Sequence, residues 1–237
     1  MSTEIVPLGS GQMFDAIARR YDFVNRVLSL GLDQSWRRRT VRAVSETLGD
    51  APRILDVATG TGDLAIALAT AHPNGHVIGL DPSPGMLAIA AQKFERRKLK
   101  IEVVQGDAQA LPQAACSIDA ATIAFGIRNV PDRPKALREL ARVVRPGGRI
   151  GVLELSEPRR GVMASLARFH THHFVPRLGA LLSGKREYAY LQKSVAAFPP
   201  AEEFVRVMTT AGLKVLEVVP MTFGACTLFV ATPREEA

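Results

Sequence analysis

Three aspartates stand at the ends of three successive apolar runs in the first half of the chain. Asp56 lies in the run RILDVATGTG just before a glycine turn, Asp81 follows the run His76 to Leu80, and Asp107 follows the run Ile101 to Gln105. A carboxylate can accept hydrogen bonds from hydroxyls or an amine, and it can pair with a cation. Each aspartate alone is equally well explained as a turn or cap residue. Together, at successive strand ends, they predict one cofactor site.

The glycine turn after Asp56 separates two classes of ligand. Gly60 and Gly62 let the backbone approach a ligand closely, and the helix that follows offers its first N–H groups to the same turn. A dinucleotide fingerprint reads G-x-G-x-x-G, and Ala65 holds its last position, which looser forms of the pattern permit. Asp56 would repel a pyrophosphate, but it could receive the ammonium of an amino-acid-like ligand. S-adenosylmethionine carries that ammonium and no phosphate, and it is the predicted cofactor.

The other two aspartates suit the nucleoside part of that cofactor. Asp81 is predicted to accept both ribose hydroxyls. Asp107, followed by Ala108, is predicted to take the adenine amino group.

A further polar pair follows the fourth apolar run, in the segment FGIRN. Arg128 and Asn129 lie where an acceptor would meet the methyl group, and they are the predicted catalytic residues. Enzymes that methylate exocyclic base amines favour Asn or Asp, two prolines and an aromatic here, and this chain lacks that sequence. The competing interpretation of Arg128 is a structural ion pair with Asp132 or Asp81.

The elements that must position these residues alternate between strand and helix. An α/β fold with a mostly parallel sheet follows, with right-handed crossovers and a ligand crevice at the carboxyl ends of the strands. A hairpin at the end of the chain is predicted to close the sheet edge. The predicted strands are 54–57, 76–80, 101–105, 119–125, 149–155, 213–219 and 227–231, and the predicted helices are 12–30, 33–48, 84–96, 134–144 and one from 201. A turn is predicted at Pro146, Gly147 and Gly148, before the fifth strand.

Length and composition fit one domain of 237 residues, with residues 12–48 as an N-terminal cap and a helical insertion at about 162–197. The N-terminus lacks the apolar core of a signal peptide, and no stretch of about 18 apolar residues predicts a membrane span, so a cytoplasmic protein is expected. Cys116 and Cys226 are predicted to be packing residues. His170, His172 and His173 point in different directions on a helix, so no metal site is predicted.

Three separated stretches resemble the demethylmenaquinone and ubiquinone-biosynthesis C-methyltransferases. They are YDFVNRVLSLGLDQSW (Tyr21 to Trp36), FGIRNVPD (Phe125 to Asp132) and RVVRPGGRIGVLELSEP (Arg142 to Pro158). The similarity covers nearly the whole chain, and its few departures from the family pattern are Val24, Asp33, Ala124 and Arg145.

This resemblance implies a Rossmann-like class I fold with seven strands, helices on both faces and an antiparallel C-terminal strand. It implies S-adenosylmethionine contacts from Thr61, Asp81, Asp107 and Ala108. Tyr21 is expected in an N-terminal helix that closes over the cofactor, with core packing as the competing account.

The implied reaction is methylation of a ring carbon of a reduced polyprenyl quinol, with demethylmenaquinol favoured and a benzoquinol intermediate of ubiquinone biosynthesis as the alternative. Arg128 is expected to stabilise the quinolate oxygen and Asn129 to orient it, while a water or a carboxylate such as Asp81 takes the protons. A methyltransferase of another small molecule or of RNA, and a carrier without catalysis, stay open as other classes.

The insertion mixes apolar and basic residues from Val162 to Leu182, as expected for the cover of an apolar tunnel or for contact with a bilayer surface. A lid that buries its apolar stripe on the domain is the simpler reading. The net charge of +7 and the pI near 9.8 favour anionic lipid heads and equally RNA. No nucleic-acid partner is expected, and a homo-oligomer stays open.

Overall fold

The computed structural model describes residue 26, residues 29–156 and residues 185–234. Most of the predicted helix 12–30 and of the insertion 162–197 therefore lies outside the described residues, together with Tyr21 and the three histidines of the insertion.

Seven strands of the described residues form a single sheet. They are β1 (Arg53–Val57), β2 (His76–Asp81), β3 (Ile101–Gln105), β4 (Ile118–Ala124), β5 (Val144–Leu155), β6 (Leu213–Met221) and β7 (Cys226–Pro233). The helices among the described residues are α1 (Asp33–Ser45), α2 (Asp63–Ala71), α3 (Pro84–Arg96), α4 (Arg133–Val143), α5 (Lys185–Ala196) and α6 (Ala201–Thr210). Short 3-10 turns follow β4 at Ile127–Asn129 and β6 at Thr222–Gly224.

The strands lie in the order β3-β2-β1-β4-β5-β7-β6. β3, β2, β1, β4 and β5 pair in parallel, and β7 runs antiparallel to both β5 and β6. The order reverses between β1 and β4, and ligands bind at such a switch point, outside the carboxyl ends of the strands. The predicted fold class and the predicted closing hairpin are confirmed.

Two apolar clusters cover the two faces of the sheet. Leu55 and Val57 point into one cluster, with α4 and α6, whereas Ile54, just before Leu55, points into the other, with α2 and α3. This alternation makes β1 apolar on both faces, as expected for a central parallel strand. The three side chains are fully buried, and the end of β1 is therefore a rigid support for the turn that follows it.

The turn predicted at Pro146–Gly148 lies inside β5, and this prediction was wrong about where the strand begins. Val144 already pairs with Ile118, and the ladder resumes at Arg149 opposite Ala120. Gly147 takes a φ of +75°, and Arg145 donates to Asp119 at 2.6 Å. The strand therefore continues through a large bulge, which residue-by-residue turn signals do not distinguish from a loop.

Candidate active site

Asp56 lies on β1 beneath the glycine turn and is only 1% exposed. The hydroxyls of Thr59 and Thr122 donate to its two carboxylate oxygens at 2.6 and 2.7 Å. Burial raises the pKa of Asp56 to about 6, because the loss of hydration outweighs the two threonine hydrogen bonds. Both threonines were missing from the sequence prediction, although Thr59 belongs to the motif itself.

The two glycines of the turn have different surroundings. A Cβ built on Gly60, whose φ is +56°, would have no atom within 4 Å. A Cβ on Gly62, whose φ is +84°, would lie 2.4 Å from the Phe94 ring of α3. The buried Thr61 between them accepts a hydrogen bond from Lys93 at 3.3 Å. Gly60 is thus the open position of the turn, while Gly62 is the position that packs the turn onto α3.

Asp81 ends β2 and ties the two neighbouring strand ends together. Its Oδ2 accepts from the backbone N–H of Gly60 at 2.8 Å, and its Oδ1 accepts from that of Ser83 at 2.9 Å. Its charge also contributes to the raised pKa of Asp56. The structure therefore brings these two predicted carboxylates beside the same glycine turn.

Asp107 follows β3 and is exposed, while its neighbour Ala108 is buried. Asp107 accepts hydrogen bonds from the backbone and the side-chain amide of Gln109. Gln109 in turn accepts from the backbone of Asp132 at the start of α4. Gln109, which the sequence analysis did not single out, holds the Asp107 carboxylate in place.

Arg128 is buried in the 3-10 turn after β4, and its ion-pair partner is Glu154 of β5, at 2.5 Å. Glu154 also accepts from the backbone N–H of Arg128 at 3.1 Å, and the same guanidinium nitrogen donates to the Phe125 carbonyl at 2.7 Å. Asp132 instead caps α4, by accepting from the backbone of Lys135. A structural ion pair was foreseen for Arg128, but Glu154 was not, because a partner 26 residues away leaves no local signal.

Asn129 is held by α5, which lies within the range predicted as an insertion. The Tyr190 hydroxyl of α5 donates to its Oδ1 at 3.0 Å, and its Nδ2 lies 3.5 Å from the Phe125 carbonyl. Tyr190 was also absent from the predicted site, because only the fold places α5 against this turn.

The segment after β4 also contacts α1 and the turn after β1. The Phe125 ring lies 6.2 Å from that of Trp36, and Arg37 lies over the same Phe125 ring at 5.3 Å. A Cβ built on Gly126 would lie 2.5 Å from that of Ala58, just after β1. The two turns therefore touch each other at the switch point of the sheet.

Two absences hold for the part of the chain that the structure describes. No group of three or more His, Cys, Asp or Glu side chains there could hold a metal ion, and no helix there is long and apolar enough to cross a membrane.

Solved structures described as S-adenosylmethionine-dependent methyltransferases share this architecture. A methyltransferase of this class from Thermotoga maritima is 22% identical, with a TM-score of 0.61 over 94% of this chain and 100% of that chain. The [4+2]-cyclase SpnF, 20% identical, has a TM-score of 0.67 over 94% of this chain and 95% of its own. Likeness at these identities shows the fold alone, since one fold carries many reactions.

The family follows from sequence similarity. Residues 8–233 match the ubiE/COQ5 methyltransferase family, and the chain belongs to that family. The demethylmenaquinone methyltransferase of Thermus thermophilus is 47% identical over 220 residues, which are 92% of this chain and 98% of that protein. The ubiquinone/menaquinone biosynthesis C-methyltransferase UbiE of Syntrophotalea carbinolica is 45% identical over 217 residues, which are 92% and 91% of the two chains. The resemblance stated from the three sequence stretches is confirmed.

Proposed function

We propose that this protein transfers a methyl group from S-adenosylmethionine to a ring carbon of a polyprenyl quinol, with demethylmenaquinol as the acceptor. The observation that carries the proposal is the contact between the turn after β1, with its carboxylates, and the turn with Arg128 and Asn129. The names of relatives from Thermus thermophilus and Deinococcus radiodurans, both demethylmenaquinone methyltransferases, support the class of acceptor.

The described residues fit the cofactor. Gly60 leaves open space above the turn, and α2 begins there without a side-chain cap, so its first N–H groups face that space. Asp81 is proposed to bind the ribose hydroxyls, Asp107 the adenine amine and Asp56 the ammonium group. Thr61, Gly62 and Ala108 complete the proposed contacts, and Tyr21 is the proposed contact outside the described residues. When bound, S-adenosylmethionine supplies an electrophilic methyl group on a sulfonium.

The acceptor should react in its reduced form, because a quinolate is a much better carbon nucleophile than a quinol or a quinone. Arg128 and Asn129 are proposed to stabilise and orient the quinolate oxygen, and a water or Asp81 to take the protons. Glu154 offsets much of the positive charge of Arg128. Positioning in a dry pocket therefore has the larger share, on the order of 7 to 11 kcal/mol for a well-aligned pair.

A methyl-transfer assay tests this proposal. Purified protein with methyl-labelled S-adenosylmethionine is offered demethylmenaquinone in reduced and in oxidised form, the corresponding demethylated benzoquinol, and bulk RNA. We expect label in the reduced naphthoquinol alone or above the other acceptors. Label in RNA with none in either quinol would overturn the proposal.

The benzoquinol is the second candidate acceptor. It is favoured by the relative from Syntrophotalea carbinolica, whose name covers both ubiquinone and menaquinone biosynthesis. The ratio of kcat/KM values for the two quinols in the same assay separates the candidates.

The catalytic pair is tested by Arg128→Ala and Asn129→Ala. Each should lower kcat, by about tenfold to a hundredfold or more for a lost oxyanion contact, while the Kd for S-adenosylmethionine, from calorimetry, stays unchanged. Urea unfolding of both variants is needed, because Arg128→Ala leaves the buried Glu154 without its ion-pair partner. Full turnover in both folded variants would remove these residues from the mechanism.

Peripheral contact with a membrane is the proposed route to a polyprenyl substrate. Leu30, before α1, and Phe223, in the turn after β6, are 65% and 64% exposed. Phe223 follows Thr222, which accepts a hydrogen bond from Trp36 at 2.9 Å, and Leu30 precedes α1, the helix that carries Trp36. We expect co-sedimentation with anionic vesicles to exceed that with neutral ones, and Phe223→Ser to reduce it. Equal sedimentation of wild type and variant would contradict this role for Phe223.

A further inference from the structure

The Asn129 amide lies between two groups that together fix which way it faces. A carbonyl oxygen only accepts hydrogen bonds, so the Phe125 carbonyl requires the NH2 end of the amide beside it. The Tyr190 hydroxyl then meets the oxygen end, to which it donates at 3.0 Å. The Phe125 carbonyl therefore sets which end of the amide faces it, and the Tyr190 hydroxyl, which can donate or accept, holds the amide in that orientation.

The contacts differ in strength. The Phe125 carbonyl is 3.5 Å from Nδ2, at the limit of a hydrogen bond, and it already accepts from Arg128 at 2.7 Å. The Tyr190 contact has ordinary length and is therefore the main restraint on the amide. An amide without it could rotate by half a turn.

We propose that Tyr190 is a positioning residue, which keeps the NH2 group of Asn129 directed towards the oxygen of the acceptor. The inference rests on the proposed function, in which Asn129 orients a quinolate. A rotated amide would present its carbonyl oxygen to that anion, and two negative oxygens facing each other would oppose formation of the nucleophile. Tyr190 lies on α5, which packs against the 3-10 turn that carries Asn129.

The test is a double-mutant cycle on kcat with the reduced quinol. Tyr190→Phe should lower kcat by about twofold to tenfold, the range that one neutral hydrogen bond is worth, with an unchanged Kd for S-adenosylmethionine. In an Asn129→Ala background, the same change should have no further effect, because Tyr190 acts through the amide. Ser45→Ala is the matched control, since it removes a 2.7 Å side-chain contact with His72 at the end of the strands away from the proposed site. Its effect on kcat should be the same in both backgrounds.

The outcomes separate this inference from the proposed function. A Tyr190→Phe loss that multiplies the Asn129→Ala loss would overturn the inference, because Tyr190 would then act independently of the amide. Full kcat in Tyr190→Phe together with a low kcat in Asn129→Ala would also overturn it, and would leave the proposed function standing. Full kcat in Asn129→Ala would instead remove Asn129 from the mechanism, and the inference with it.

Discussion

Asp56 combines two requirements that oppose each other. Its carboxylate is almost completely buried, which favours the neutral acid, yet the proposed contact with an ammonium needs the anion. The Thr59 and Thr122 hydroxyls offset part of the cost of keeping the anion in place. Asp56 is therefore expected to lower the free energy of unfolding, and its proposed benefit is the contact with the ammonium group.

A pH series on Asp56→Asn measures this cost. The folded protein holds the proton of Asp56 up to about pH 6, whereas the unfolded chain loses it near the ordinary pKa of 3.8. The folded state binds more protons between these values, so the free energy of unfolding should fall as pH rises through them. The fall should be on the order of 3 kcal/mol relative to Asp56→Asn.

Urea unfolding of both proteins from pH 3.5 to 7 is the measurement for Asp56. Other carboxylates are the same in both proteins, and their contributions cancel in the difference, apart from that of Asp81, whose charge interacts with Asp56. A difference that stays constant over this range would contradict the raised pKa.

The pair of Arg128 and Glu154 is buried on both sides, with side-chain exposures of 6% and 0%. Glu154→Ala should cost about 3 to 5 kcal/mol, because it removes one partner of a buried ion pair. Glu217→Ala is the control, since its pair with Arg39 is exposed at 34% and 42% and should cost less than about 1 kcal/mol. Equal losses in urea unfolding would mean that burial does not set the importance of the Arg128 pair.

The residues proposed to carry chemistry stand out in the sequence because they belong to local motifs, and the side chains that contact them do not. Asp56, Asp81 and Asn129 lie next to glycine turns or at strand ends, where local pattern marks them. Glu154 and Tyr190 reach the site from 26 and 61 residues away. Only the pairing of β5 with β4 and the placement of α5 bring them there.

At the scale of elements, the two glycines of the turn between β1 and α2 have different roles. Gly60 leaves open space above the turn, and Gly62 lets the turn pack onto α3. Gly60→Ala should cost about 1 to 2 kcal/mol for the left-handed backbone and should strongly weaken S-adenosylmethionine binding, since it fills the open space. Gly62→Ala meets Phe94 as well and should cost about 1 to 3 kcal/mol more. Urea unfolding and calorimetry on both variants give the comparison.

Phe94→Leu in the Gly62→Ala background serves as the control for the glycine turn. It should recover part of the stability if the ring is the obstacle. A Gly60→Ala variant that binds the cofactor normally would show that the ligand does not approach this turn closely.

The alternation of apolar runs and helical segments predicted the strands and helices well, because buried parallel strands are short and bounded by turn residues. The bulge in β5 was not predictable in the same way. Pro146, Gly147 and Gly148 have turn chemistry, and they do form an excursion. That the ladder is already formed at Val144 depends on β4 lying beside it.

At the scale of the whole molecule, the proposed cofactor site joins several strand ends, so binding should stabilise the complete fold. S-adenosylmethionine at 100 times its Kd should raise the free energy of unfolding by about 2.7 kcal/mol, which is about 5 to 11 °C in Tm for a domain of this size. Asp81→Asn should lose most of this increase, because Asp81 ties the turn after β1 to the end of β2.

Asp119→Asn is the matched variant for this comparison, because Asp119 lies at the start of β4, at the end of the strands opposite to the proposed site. It should keep the full increase in Tm. An Asp81→Asn variant with the same increase as wild type would place the ribose elsewhere.

The close approach of Ala58 and Gly126 leaves no room for one more methyl group between the loops after β1 and β4. An engineer who wishes to fit a bulkier ring by reshaping the loop after β4 would displace the loop after β1 at the same time. Donor affinity and acceptor choice would then change together. Mutant libraries aimed at new acceptors should keep Ala58 and Gly126 constant and vary the other residues of the loop after β4.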